Sequence, residues 1–159
     1  MTAIRKISIY DMDGTIVDST HRYRTVIENG IEHIDLQHWR ENEYRAMDDG
    51  LLPLAEQYRT ELNDPSVYVI IATARVIRDA DNQFIREILG VPDYIISRRG
   101  DTDTRSGKEL KIKGLQKFFN LKQFRKADAI FYEDNVQYLK AVCDHFNIMG
   151  VYIPSKQGH

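Results

Sequence analysis

The sequence predicts an α/β fold: a parallel β-sheet sandwiched between helices. Three observations carry this. Residues 67–72, VYVIIA, form a continuous apolar, β-branched run, which suits a strand buried on both faces. From residue 67 to the end, short apolar runs alternate with helix-period segments, as right-handed crossovers between parallel strands require. The first apolar run stops at the carboxylates Asp11 and Asp13, and such sheets bind ligands beyond the carboxyl ends of their strands.

Each element follows from its own pattern. Residues 4–10, IRKISIY, alternate as a strand and end at Asp11. Residues 19–50 show weak apolar periodicity before Asp35, so this segment is expected to be, at most, a small helical cap. Asp35 is a candidate N-cap for a helix over 35–49, with Gly50 as its stop. A second helix is expected over 52–62, with Pro53 in its first turn, followed by a turn at 64–66. After the strand at 67–72 comes a helix over 79–89, closed by Gly90. Residues 93–97 read as a short strand. Residues 106–119 read as a basic amphipathic helix with Leu110, Leu115, Phe118 and Phe119 inward. A strand at 128–132, a helix at 135–146 and a strand at 148–153 complete the pattern, and residues 154–159 read as a frayed terminus.

The chain has 159 residues, enough for one domain with one core. No apolar run approaches the ~18 residues of a membrane span. The N-terminus lacks a signal-peptide pattern, and Cys143 is the only cysteine, which suits a reducing cytoplasm. Cys143 falls on the apolar side of its helix and reads as packing. The net charge of −2 excludes a basic nucleic-acid binder overall. Its distribution is uneven: residues 97–126 hold ten Lys/Arg against three acids, a balance of +7, leaving −9 elsewhere. That segment is either a solvated face or a footprint for an anion. No GxxxxGK[ST] phosphate loop occurs in these residues, so a kinase module of that type is not expected beside the domain.

The chemistry concentrates in DMDGTIVDS, residues 11–19. Like charges this close repel and resist desolvation unless a cation compensates them. The residues alone leave a solvated turn or a metal-and-phosphate site open. The pattern Asp-x-Asp-Gly-Thr-hydrophobic-x-Asp after a strand resembles the first motif of haloacid dehalogenase (HAD) superfamily phosphatases. IIATAR, ending in Thr73 and Arg75, is similar to the second motif, and FYEDN, with Glu133 and Asp134, to the fourth. The order is right across the whole chain. Residues 98–115 look closest to polynucleotide kinase 3′-phosphatase domains, with two extra residues near GDTDTR. The DSTHRYR stretch and the run through Trp39 are similar to small phage-encoded members.

The resemblance implies a Rossmann-like phosphatase that forms an aspartyl-phosphate. Asp11 is the implied nucleophile, and Asp13 the acid that protonates the leaving oxygen and then activates water. Thr73 would donate to the phosphate. Lys111 is the implied third-motif lysine, with Lys108 as the alternative. Gly14 would admit backbone N–H groups to the phosphate, and Thr15 would buttress the loop. Mg²⁺ would be held by Asp11, the Asp13 carbonyl and Asp134, with Glu133 either a direct ligand or a partner behind it. Arg75 would reach the phosphate, and Arg98 and Arg105 the rest of a nucleotide. The implied substrate is a phosphate monoester, at a nucleic-acid 3′ end or on a nucleotide. The alternative is a 5′-nucleotidase or another small-molecule phosphatase. Trp39 reads as packing or as a base-stacking ring, His21 as surface or substrate contact, and Tyr10 as core. Asp18 would bond the loop or cap the next segment.

Overall fold

A computed structural model of the chain describes residues 3–155. Strand β1 (Lys6–Tyr10) ends at the acidic loop, as its alternation predicts. The segment that follows departs from a helical cap. A short strand β2 (Val17–Asp18) leads into a hairpin of β3 (Thr25–Glu28) and β4 (Ile31–Ile34). Asn29 and Gly30 turn this hairpin, both at positive φ. Such Asn-Gly pairs favour a two-residue turn, and this pair stands in plain view between Glu28 and Ile31.

Asp35 does cap a helix, accepting the His38 N–H at 3.1 Å, but the helix α1 covers only Leu36–Glu41. A 3-10 stretch, Glu43–Asp48, takes over, and Gly50 opens strand β5 (Gly50–Leu51), which pairs with β2. Helix α2 (Ala55–Leu62) begins just after Pro53.

The buried run forms β6 (Val67–Val76), longer than 67–72, so Thr73 and Arg75 lie within the strand. The pairing of β6 with its neighbour slips between Ala72 and Val76. Helix α3 (Asp79–Phe84) continues as a wider turn through Ile85–Leu89 and closes at Gly90, where φ is +103°. Then follow β7 (Tyr94–Arg98), α4 (Gly107–Leu115) capped by Ser106, β8 (Asp128–Glu133), α5 (Val136–Phe146) and β9 (Met149–Tyr152). Phe118 and Phe119 lie beyond the end of α4, in a 3-10 turn, yet Phe118 is still buried.

The five long strands form one parallel sheet in the order β7-β6-β1-β8-β9. Strand alternation divides the core between its faces. Tyr10, Val69, Ile71 and Tyr132 pack with residues of α2 and α3, while Ile7, Ile9, Ile70 and Phe131 pack with residues of α4 and α5. Tyr10 is core, as expected, and Cys143 packs against the second cluster. Tyr10 pairs with both Ile71 and Tyr132, which sets Asp11, Ala72 and Glu133 level across the three central strands. Asp11, Thr73 and Asp134 therefore share one edge.

Candidate active site

Asp11 leaves β1 into a tight loop in which the Met12 carbonyl accepts from the N–H groups of Thr15, Ile16 and Val17. That turn brings the Thr15 hydroxyl back to Asp11 Oδ2 at 3.0 Å. Lys111, on α4, is buried and reaches under the loop. Its Nζ donates to Asp11 Oδ1 at 2.9 Å and to Glu133 Oε1 at 2.6 Å. Burial works against its charge, but Asp11 and Glu133 outweigh it and hold Lys111 above the ordinary lysine range. Lys108 and Lys113 are exposed. The geometry thus brings Lys111, not Lys108, to the carboxylates.

Carboxylate oxygens of Asp11, Glu133 and Asp134 lie within 4.8 Å of one another, all buried. One lysine does not balance three carboxylates. Burial and the Glu133 charge push Asp11 up to about 8, and burial and the Asp11 charge push Asp134 up to about 7. The two acids of the last motif divide their work. Glu133 Oε2 accepts the Asp134 and Asn135 N–H groups, so both its oxygens are engaged. Asp134 Oδ2 accepts from Ser155, while Oδ1 is buried without a hydrogen-bond partner among the described residues. An orphaned carboxylate oxygen in a cluster of excess negative charge fits a hard divalent cation. Gly14 is required here: its φ is +81°, and a Cβ would lie 2.1 Å from Asp134 Oδ2. Its own N–H donates to Val17 O at 2.9 Å, which closes the tight turn of the loop.

Asp13 faces a different environment. Burial opposes its charge, but the Arg75 guanidinium overrides this and holds Asp13 at about 2. Arg75 Nε and Nη2 grip the two Asp13 oxygens at 2.9 and 2.6 Å, and Ser19 donates to Oδ1 at 2.6 Å. Arg75 also binds Asp49 at 3.0 Å and Asp81 at 2.8 Å. It is thus committed to three carboxylates, not extended toward a phosphate. Thr73 is buried, and its hydroxyl accepts the Arg75 N–H at 3.1 Å, leaving the hydroxyl hydrogen for another acceptor.

The 19–50 segment supplies what sequence reasoning missed. Arg22 is 1% exposed and bonds both Asp49 oxygens at 2.8 and 3.0 Å. His21 reaches the same carboxylate at 2.7 Å. Trp39 lies 4.1 Å from the Arg22 guanidinium and 5.5 Å from that of Arg75, measured to one ring centroid. Its role is cation–π packing. These residues are scattered in sequence, and charged types offered no burial signal. Asp18 caps the turn that follows by accepting from the Thr20 N–H and hydroxyl.

Arg98 and Arg105 are placed differently from the expectation that they meet a nucleotide. Arg98 donates to the carbonyls of Ala74, Asp103 and Arg105, and Arg105 forks onto Asp103 at 2.9 and 2.7 Å. Both stitch the loop between β7 and α4. Residues 154–155 are also not a loose end, since Ser155 holds Asp134; residues 156–159 of that expected tail lie outside the described residues.

The fold and its edge define a class: a Rossmann-like α/β domain presenting buried carboxylates, a lysine and a threonine where its central strands end. Within that class, the chain belongs to the bacteriophage T5 5′-deoxynucleotidase family, whose model matches residues 1–150. The 5′-deoxynucleotidase of Escherichia phage T5 is 32% identical over 105 residues, covering 64% of this chain. The chain spans only 40% of that relative's length. Two structures of the Pnkp1/Rnl/Hen1 complex, one described as an RNA repair complex, share the fold with TM-scores of 0.61 and 0.59. Both are 18% identical; 98% and 96% of this chain superposes on 48% and 43% of theirs. These two likenesses show the fold alone; the family is that of the T5 5′-deoxynucleotidase.

Proposed function

We propose that this protein hydrolyses the phosphate monoester of 5′-deoxynucleotides, with Asp11 as nucleophile and a divalent cation, Mg²⁺ by the family resemblance, as cofactor. The observation that supports this most is Asp11 itself: buried, aimed by Lys111 and Thr15, and two residues from a second acid. Asp11, Asp134 and the Asp13 carbonyl would hold the cation, with Glu133 keeping Lys111 in place. When bound, the cation supplies charge neutralisation for the phosphoryl oxygens.

The residues then act in two steps. An Asp11 oxygen attacks phosphorus, the P–O ester bond breaks, and Asp13 gives its proton to the leaving 5′-oxygen. Water then attacks the aspartyl-phosphate, Asp13 takes the water proton, and phosphate leaves with Asp11 restored. Arg75 favours the ionised form of Asp13 in the free protein, so a substrate that carries a proton would protonate Asp13 for the first step, and the water proton would do so again in the second. A phosphate monoester titrates near pH ~6 and can bring the first proton. Thr73 and Lys111 would face the transferring oxygens. The 19–50 segment would act as the cap, tied to the site through Arg22, Asp49 and Arg75.

The test is phosphate release from 5′-deoxynucleotides, 5′-ribonucleotides, 3′-phosphorylated oligonucleotides and sugar phosphates, with Mg²⁺ or chelator. The expected outcome is metal-dependent preference for 5′-deoxynucleotides. Preference for the oligonucleotide end would restore the 3′-phosphatase reading. Activity in excess chelator would overturn the metal site.

A further inference from the structure

A cavity of about 1050 Å³ opens beside the acidic loop, between α2 and the chain after β9. That is at the top of the ~300–1,000 Å³ range of small-molecule sites. Asp11, Asp13 and Asp134 do not line it, but their neighbours do. Thr15, which bonds Asp11, and Ser155, which bonds Asp134, form one end together with Gly14. The walls are apolar: Leu52, Pro53 and Leu54 on one side, Ile153 and Pro154 on the other. Gln57 and Glu61 provide a polar floor, tied to the buried Tyr10 hydroxyl. The charged residues lining the cavity are Asp18, Glu56 and Glu61, with no lysine or arginine among the described residues.

These features select a chemistry. Apolar walls suit a flat ring, and the exposed Glu56 carboxylate suits N–H and O–H donors, since both Glu61 oxygens are already held by Tyr10 and Lys6. With Glu61 offset by Lys6 at 2.8 Å, Asp18 and Glu56 remain as the acidic lining that repels phosphate. We propose that this cavity takes the uncharged nucleoside part of a nucleotide, and that its acidic lining turns away polyphosphates and nucleic-acid strands. This rests on the nucleotide phosphatase reading above and names the feature that would make it selective for monophosphates. The nucleoside could arrive as part of the substrate or as free product. In either case it would sit one hydrogen bond from Asp11 and Asp134, through Thr15 and Ser155.

The experiment fills the cavity. Leu54→Trp narrows one wall, and Thr60→Trp, at an exposed position lining the cavity, does the same without touching the core. KM is measured for a 5′-deoxynucleotide and for p-nitrophenyl phosphate, and binding of free 2′-deoxyadenosine and thymidine by calorimetry. If the cavity holds the substrate's nucleoside, KM for the nucleotide rises about tenfold more than for p-nitrophenyl phosphate. If it holds free nucleoside, calorimetric binding is lost while the two KM values keep their ratio. If both folded variants keep the ratio and also bind nucleoside as the parent does, or if the parent binds none and the ratio is kept, the proposal is overturned. A parent that hydrolyses p-nitrophenyl phosphate but no nucleotide instead overturns the nucleotidase reading on which the proposal rests.

Discussion

Asp11 and Asp13 are two residues apart and meet opposite fields. Asp11 shares its surroundings with Glu133 and Asp134 and is pushed up to about 8; Asp13 is clasped by Arg75 and held at about 2. Environments that push two carboxyls apart assign them different tasks. Asp11→Asn keeps the shape and the Lys111 contact but removes the nucleophile. Phosphate release should fall at least ~1000-fold, the scale of losing a covalent nucleophile, with the circular dichroism spectrum unchanged. Retained turnover would reject the aspartyl-phosphate. Behind Asp13, Asp49 accepts from His21, Arg22 and Arg75 at once. Asp49→Ala leaves two buried guanidinium groups short of a partner, a change that typically costs ~3–5 kcal/mol. Urea unfolding should show that loss. Because Asp49 acts through Arg75 on Asp13, kcat should drop more than KM rises, whereas a purely structural role would leave the kinetics of the folded fraction intact.

At the scale of elements, helix starts place the chemistry. Asn135 begins α5 directly after Asp134, and its side chain accepts the N–H groups of Gln137 and Tyr138 at 3.0 and 3.1 Å. Asn135→Ala should cost ~1 kcal/mol of stability, the usual worth of an N-cap. Thermal unfolding checks it, and a drop in metal affinity would show that the cap also fixes Asp134. Gly14→Ala is harsher, because a Cβ would strike Asp134 in a backbone conformation that alanine disfavours. These starts and the sheet were legible because their signals are local: a β-branched run for β6, Asp35 before α1, and Gly90 after the helical turn. The hairpin β3–β4 was legible too, through Asn29-Gly30, but the expectation of a cap obscured it. The acidic loop after β1 and Lys111 followed from motif order. The Arg22–Asp49–Arg75 cluster did not, because an arginine 1% exposed and one on the surface look alike in sequence. Arg98 and Arg105 illustrate the reverse: the family resemblance implied a nucleotide contact, and their guanidinium groups bond neighbouring carbonyls and Asp103.

For the molecule as a whole, the edge proposed to perform chemistry is also where the fold carries its electrostatic debt. Two carboxyls, Asp11 and Asp134, lie near 8 and 7 in the folded protein, against about 4 for an unfolded aspartate. Their folded values are raised, so the folded state binds more protons than the unfolded one across that window. Stability then falls as pH rises from ~4 to ~8, by roughly 1.4 kcal/mol per pH unit for each group that titrates. Asp13 has the opposite sign and weakens the fold only as pH drops from ~4 toward 2. A bound divalent cation favours the ionised forms and reverses the first effect. Melting temperature in chelator should therefore decline between pH 5 and 8, and added Mg²⁺ should raise it more at pH 8 than at pH 5. Asp11→Asn should flatten the decline in chelator, because it removes one charge and relieves its neighbour. Parallel melting curves with and without metal at every pH would separate this cluster from cation binding. The widening gap would show that one set of buried carboxylates sets both the stability and the metal requirement of the protein.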